Sequence, residues 1–144
     1  MSTDALTAGS ERILRLLRDS RSKTPGTLGE TDTALIKEAI LLPMMLTQLE
    51  RDRVALADKG CRLKFAPLWL QAVTRVMDAV TADLAAVRRA LRQREIKLYL
   101  DVQDNLGVRY MYVHRGYSQV IAMSWNFVRV EITVRMREYA RLFA

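Results

Sequence analysis

Seven apolar side chains between Trp69 and Leu91 limit what this chain can fold into more than any other feature. In "KFAPLWLQAVTRVMDAVTADLAAVRRALRQRE", Trp69, Val73, Val76, Val80, Leu84, Val87 and Leu91 recur at intervals of 4-3-4-4-3-4. At 3.6 residues per turn, that spacing holds one stripe on one helix face for about six turns. A stripe of that length must be buried against a partner. Pro67 suits the first turn of this helix, where its missing N–H would have had no acceptor. The C-terminal stretch "SQVIAMSWNFVRVEITVRMREYARLFA" repeats the order with Ile121, Trp125, Val128, Ile132, Met136, Tyr139 and Phe143. Inside it, "VRVEITVRMR" also alternates apolar and polar residues, a strand signature. The longer stripe and the lack of a dividing turn predict a helix instead. Two such seams pack on each other within one chain or across a dimer interface.

The N-terminal third is less regular. Residues 10–19, "SERILRLLRD", predict a short amphipathic helix with Ser10 as N-cap. The following "SRSKTPGTLGET" has the composition of a linker. Residues 1–30 are therefore expected to form an arm, either an interaction helix or, preferably, an extension resting on the domain. Residues 31–144 are expected to form one compact domain, a size that supports a single core. A helix capped by Asp32 or Thr33 carries Leu35, Ile36, Ala39 and Ile40. Pro43 must either kink it or open a second helix. Gly60 is the expected C-cap.

Between the two seams the period changes to two. "IKLYLDVQ" and "VRYMYVHR" flank "DNLG" and predict a β-hairpin. Asp104 and Gly107 favour a three-residue loop closed by a bulge, because Leu106 is ill suited to the positive φ of a two-residue type I′ loop. That register pairs Leu100 with Tyr112, Val102 with Tyr110 and Leu98 with His114. It turns Tyr110, Tyr112 and His114 toward the core and leaves Lys97, Tyr99, Arg109 and Arg115 on the other face. Gly116 is expected to turn the chain into the last helix. The fold class is thus α+β, mostly α, in the order α-α-α-β-β-α.

The net charge of +7 sits entirely in the second half. Residues 61–95 carry seven basic and three acidic groups, and residues 96–144 carry seven and four. Such a field attracts phosphate polyanions and acidic surfaces. The candidate nucleic-acid-binding residues are Arg88, Arg89, Arg92 and Arg94 at the end of the first long helix, Lys97, Arg109 and Arg115 on the hairpin, and Arg137 and Arg141 on the last helix. Arg129 and Arg135 belong to the same basic set. The competing reading is a solvated face with favourable charges at helix C-termini. Cys61 and His114 are each single in the sequence. Neither has the partners that nucleophilic or acid–base catalysis needs, so no catalytic, metal or cofactor site is expected. The longest apolar run, residues 39–46, is too short to span a bilayer. The first residues lack a signal-peptide pattern. A cytoplasmic protein without a membrane partner is the expectation.

At "RYMYVHRGY", followed by a Trp and "EITVRMREY", the chain resembles small uncharacterised proteins carried by prophages and other mobile elements of Bacillota. The resemblance covers roughly the last 110 residues and implies an accessory or regulatory role, with no activity or site residues to transfer. The reading that results is a small basic, non-enzymatic protein that binds DNA or RNA. The alternative is an interaction or assembly module that forms a homodimer, or docks on another protein, through its helix seams.

Overall fold

The computed structural model describes residues 10–22 and 29–141. Four helices and three strands follow in the order α1 (Glu11–Ser22), α2 (Glu30–Ala57), α3 (Ala66–Gln93), β1 (Ile96–Gln103), β2 (Gly107–His114), β3 (Tyr117–Ser124) and α4 (Trp125–Ala140). The class is α+β and mostly α, with a three-stranded antiparallel meander in place of the single hairpin. Nine-residue and six-residue stretches of the expected N-terminal arm and linker, 1–9 and 23–28, lie outside the described residues, as does Phe143.

α2 and α3 form a long antiparallel hairpin that carries most of the core. The Gly29 N–H donates to Asp32 Oδ2 at 3.1 Å, so α2 begins before Asp32, whose carboxylate reaches back as a cap from the first turn. Pro43 neither ends the helix nor opens a second one. α2 runs through it, with Leu41, Leu42 and Met45 fully buried around it. Burial on this scale offsets the backbone hydrogen bond that the proline removes. α2 ends at Ala57 with Asp58, not Gly60, at the cap position. The seam of α3 is buried from Val76 to Leu91, whereas Trp69 at its start is half exposed.

The sheet differs from the expected hairpin in two instructive ways. Asp104 donates its N–H to Gly107 O at 3.0 Å, and Gln103 pairs with Val108, so the β1–β2 loop has two residues, Asn105 and Leu106. Neither has positive φ. Asp104 Oδ1 holds the turn by accepting from the N–H groups of Leu106 (2.9 Å) and Gly107 (3.1 Å). A two-residue loop alone would put Tyr110 and Tyr112 on the solvent face. An irregularity between Leu100 and Val102 shifts the register by one and leaves Asp101 without a partner in the ladder. The pairs below it are Leu100 with Tyr110, Leu98 with Tyr112 and Ile96 with His114. The expected partners of Leu98 and Leu100 were therefore two residues out of register, although the faces of Tyr110, Tyr112 and His114 are as expected. Beyond the irregularity Val102 pairs with Arg109 instead of Tyr110, on the outer face, and Leu100 and Val102 are both exposed. Leu98, Tyr110 and Tyr112 pack on the core, and His114 is buried.

The second difference is β3, which occupies residues read as the start of the last helix. Arg115 and Gly116 have φ of 50° and 86°, the two positive values a type I′ turn needs, and His114 pairs with Tyr117 across it. Gly116 thus closes a second hairpin. At the other end of β2, a Cβ on Gly107 would lie 2.2 Å from Met123 O, so only glycine permits that approach of the two strands. Ile121 and Met123 of β3 then face the core and Val120 faces solvent.

α4 starts where Ser124 Oγ accepts from the Phe127 N–H at 3.1 Å. Trp125 Nε1 donates to Asp104 O at 2.7 Å and ties this start to the first hairpin loop. The helical reading of "VRVEITVRMR" holds: Val128, Ile132 and Tyr139 are buried along one face. From Val76 to Leu91 and from Val128 to Tyr139, the buried parts of the two seams are covered within a single chain.

Candidate functional site

The corner where α3 runs into β1 gathers several exposed cations. Arg88, Arg89 and Arg92 lie exposed on the last turns of α3, with Arg88 and Arg92 one turn apart on a common face. Glu95, at φ 59°, reverses the chain into β1 and leaves Lys97 exposed on the outer sheet face. Arg115, across the ladder, joins this corner through Arg115 Nε to Glu95 Oε2 at 3.0 Å. Arg88, Arg89, Arg92 and Lys97 make no ion pair among the described residues. A solvated cation without a fixed partner can exchange its counterions for phosphate oxygens.

The other candidate cations are placed elsewhere. Arg94 does not belong to this surface, because it is buried and its Nε and Nη2 hold the carboxylate of Asp32, with Nη2 to Oδ2 at 2.9 Å. Its Nη1 also donates to Ser20 O at 3.2 Å, which fastens α1 to the α2–α3 hairpin. Arg109 sits at the far end of β2, paired with Asp101 at 2.8 Å. Six residues separate it from Arg115, roughly 20 Å along a strand. Arg137 and Arg141 are exposed at the end of α4. Arg129 is exposed beside Asn126, and Arg135 is buried.

Arg135 belongs to a buried polar junction that was not apparent from the sequence. Glu38 of α2 accepts from Arg135 Nη2 at 2.5 Å and from Arg12 of α1. Arg12 Nε also reaches Glu138 at 2.7 Å, and Arg135 Nη1 reaches Glu131 at 3.1 Å. Beside this ion-pair group, the Tyr139 hydroxyl donates to Asp83 Oδ2 at 2.5 Å, and both side chains are fully buried. Burial pushes the Asp83 carboxyl up to about 7, against the opposing influence of the Tyr139 hydrogen bond and the Arg12 charge. Burial and the Asp83 charge hold the Tyr139 hydroxyl well above the usual phenol range. Asp83 Oδ1 and Arg12 Nη2 are buried without a hydrogen-bond partner among the described residues. The junction pins four helices together. Within it, the fully buried Asp83 carboxyl joins α3 to α4 through Tyr139.

His114 is buried between Ile96 and Tyr117 in the ladder, and Cys61 is half exposed in the α2–α3 loop. No group of three His, Cys, Asp or Glu side chains able to hold a metal occurs among the described residues. The described residues include two shallow clefts. One, of about 350 Å³, lies between the first hairpin loop and β3, and the other, of about 250 Å³, lies between α1 and α2. No helix among the described residues is long and apolar enough to cross a membrane.

Comparison with known proteins gives two matches. The family model described as "YhjD protein" matches residues 27–143. A protein of Bacillus subtilis (strain 168), titled "Uncharacterized protein YhjD", is 29% identical over 85 residues, covering 59% of this chain and 69% of that protein. Both fit the resemblance to small Bacillota proteins. No solved structure matches.

Proposed function

The chain belongs to the YhjD protein family, and we propose that it is a small, basic, non-enzymatic protein that binds nucleic acid through the α3–β1 corner. The observation that carries this reading is the set of exposed cations Arg88, Arg89, Arg92 and Lys97 on adjoining elements, which make no ion pair among the described residues. Arg94 and Arg135, by contrast, are neutralised inside the fold by Asp32 and Glu38. The mode we propose is phosphate-directed and sequence-tolerant: guanidinium groups suit bidentate contacts to backbone phosphates, which position a protein without carrying sequence information. The corner takes DNA or RNA, with a regulatory role in a prophage or other mobile element as the biological setting.

Assembly through the helix seams is the weaker reading, because Val80 and Ile132 are buried within the chain. A charge placed at either would unfold the domain before it could split a dimer. A partner would use exposed surface instead, such as the strand edges of β1 and β3 or Phe127, Val130 and Val134 on α4.

Gel-shift titration at low salt, with single- and double-stranded DNA and with RNA, tests the proposal. The wild-type chain is expected to shift at least one of them, and Arg88→Gln/Arg89→Gln/Arg92→Gln to weaken that binding by a factor of ten or more, on the order of 1 kcal/mol per lost phosphate contact. No shift with any of the three overturns it.

A further inference from the structure

We infer that the tip of the α2–α3 hairpin is a docking surface for an anionic lipid bilayer. The loop and the first turn of α3 present Leu63, Phe65, Leu68 and Trp69 at 57%, 60%, 56% and 51% exposure. Large apolar side chains exposed this far and this close together form a patch that a soluble surface normally buries. Their arrangement is built by the fold. The N–H groups of Leu68 and Trp69 both donate to Phe65 O, at 3.0 and 3.2 Å, so the first turn of α3 sets the two side chains beside Phe65 at the end of the molecule.

Charge complementarity selects the occupant. Arg62 and Lys64 alternate with Leu63 and Phe65 in the chain, Lys59 precedes them, and all three cations are exposed. Lys64 Nζ stands 6.0 Å from the centre of the Phe65 ring. Asp58 is the one carboxylate between residues 58 and 69. Apolar side chains with cations at the same level match the boundary between acyl chains and anionic headgroups, where Trp is favoured. A second copy of the chain would bring like charges face to face. The two clefts described above lie elsewhere, at the first hairpin loop and between α1 and α2. A nucleic acid would leave Leu63 and Leu68 in water. No helix among the described residues is long and apolar enough to span a membrane, and this contact needs none, because it uses only the tip. Trp69 and Arg92 are roughly 35 Å apart along α3, so this surface and the basic corner are separate.

Sedimentation of the full chain with vesicles tests the inference. The chain is expected to partition onto phosphatidylcholine mixed with phosphatidylglycerol and only weakly onto phosphatidylcholine alone. Phe65→Ser/Trp69→Ser is expected to lower that partitioning about tenfold or more, and Arg62→Gln/Lys64→Gln by a similar factor. Arg62→Gln/Lys64→Gln changes exposed positions and should keep the wild-type melting temperature, whereas Trp69 is half buried, so Phe65→Ser/Trp69→Ser is assayed well below the melting temperature measured for that variant. Phe65→Ser/Trp69→Ser also keeps every cation, including those of the α3–β1 corner. Vesicle binding that survives this change is attraction by charge alone and overturns the inference, as does a wild-type chain that stays in solution with the mixed vesicles. The nucleic-acid titration of the same variant reports on the basic corner independently.

Discussion

At the scale of single residues, Asp83 is the position at which the structure makes the sharpest demand. Its carboxyl ionises at about 7 in the fold and near 3.8 when exposed, so the folded chain binds the proton more tightly than the unfolded chain. Below about pH 4 both states are protonated and the fold carries no penalty. As pH rises from about 4 to about 7, the unfolded chain ionises first and stability falls, by on the order of 4 kcal/mol when the transition is complete. Asp83→Asn keeps an acceptor for Tyr139 and removes the buried charge. It should raise the melting temperature by several degrees at about pH 8 and by much less at about pH 4. Thermal melts at the two pH values check this, and a variant destabilised equally at both would contradict it. The sequence concealed this residue because Asp83 lies among stripe residues and its partner is 56 positions away. Arg94 was misread for the same reason: its partner Asp32 is 62 positions away. The alternating charges of a chain do not reveal which of them the fold will bury.

At the scale of elements, strong periodicity translated into structure where the period was sustained. The α3 seam and the helical choice for residues 125–140 follow from stripes of several turns. β3 was missed because Ile121 stands four residues before Trp125 and therefore extends the helical stripe by coincidence. The turn before it was disguised by an arginine, an uncommon residue at positive φ. The bulge at Asp101 left no signal in the sequence, yet it restores the face that a two-residue loop would have inverted. The two glycines of the meander should respond unequally. Gly116→Ala places a Cβ at φ 86° with open space around it and should cost about 1–2 kcal/mol. Gly107→Ala meets Met123 O and Ser124 Cα of the paired strand and should be markedly worse. Chemical denaturation of both variants checks the order, and equal losses would contradict the close pairing of β2 and β3.

At the scale of the whole molecule, α1 is part of the core as well as a neighbour of it. Ile13 is fully buried, Arg12 bridges Glu38 and Glu138, and Ser20 O receives Arg94. Deleting residues 1–28 should uncover α2 around Ala34 and Glu38 and leave Glu38 with Arg135 alone. A fall in melting temperature of about 5 °C or more is expected, since this removes a buried Ile and half of an ion-pair group. An unchanged melting temperature would mean that the arm is dispensable. The basic half of the chain was legible from composition, and the corner of Arg88, Arg89, Arg92 and Lys97 from their nearness in sequence. The separation of Arg109 from them, and the apolar tip at the opposite end of α3, needed the fold. The salt dependence of nucleic-acid affinity, measured for the wild type and for Arg88→Gln/Arg89→Gln/Arg92→Gln, tests the central proposal most directly. Each phosphate contact contributes about 0.9 to the slope of log K against log salt, so the variant's slope should be shallower by about 2 to 3. An identical slope in the two proteins would contradict a phosphate-binding role for that corner.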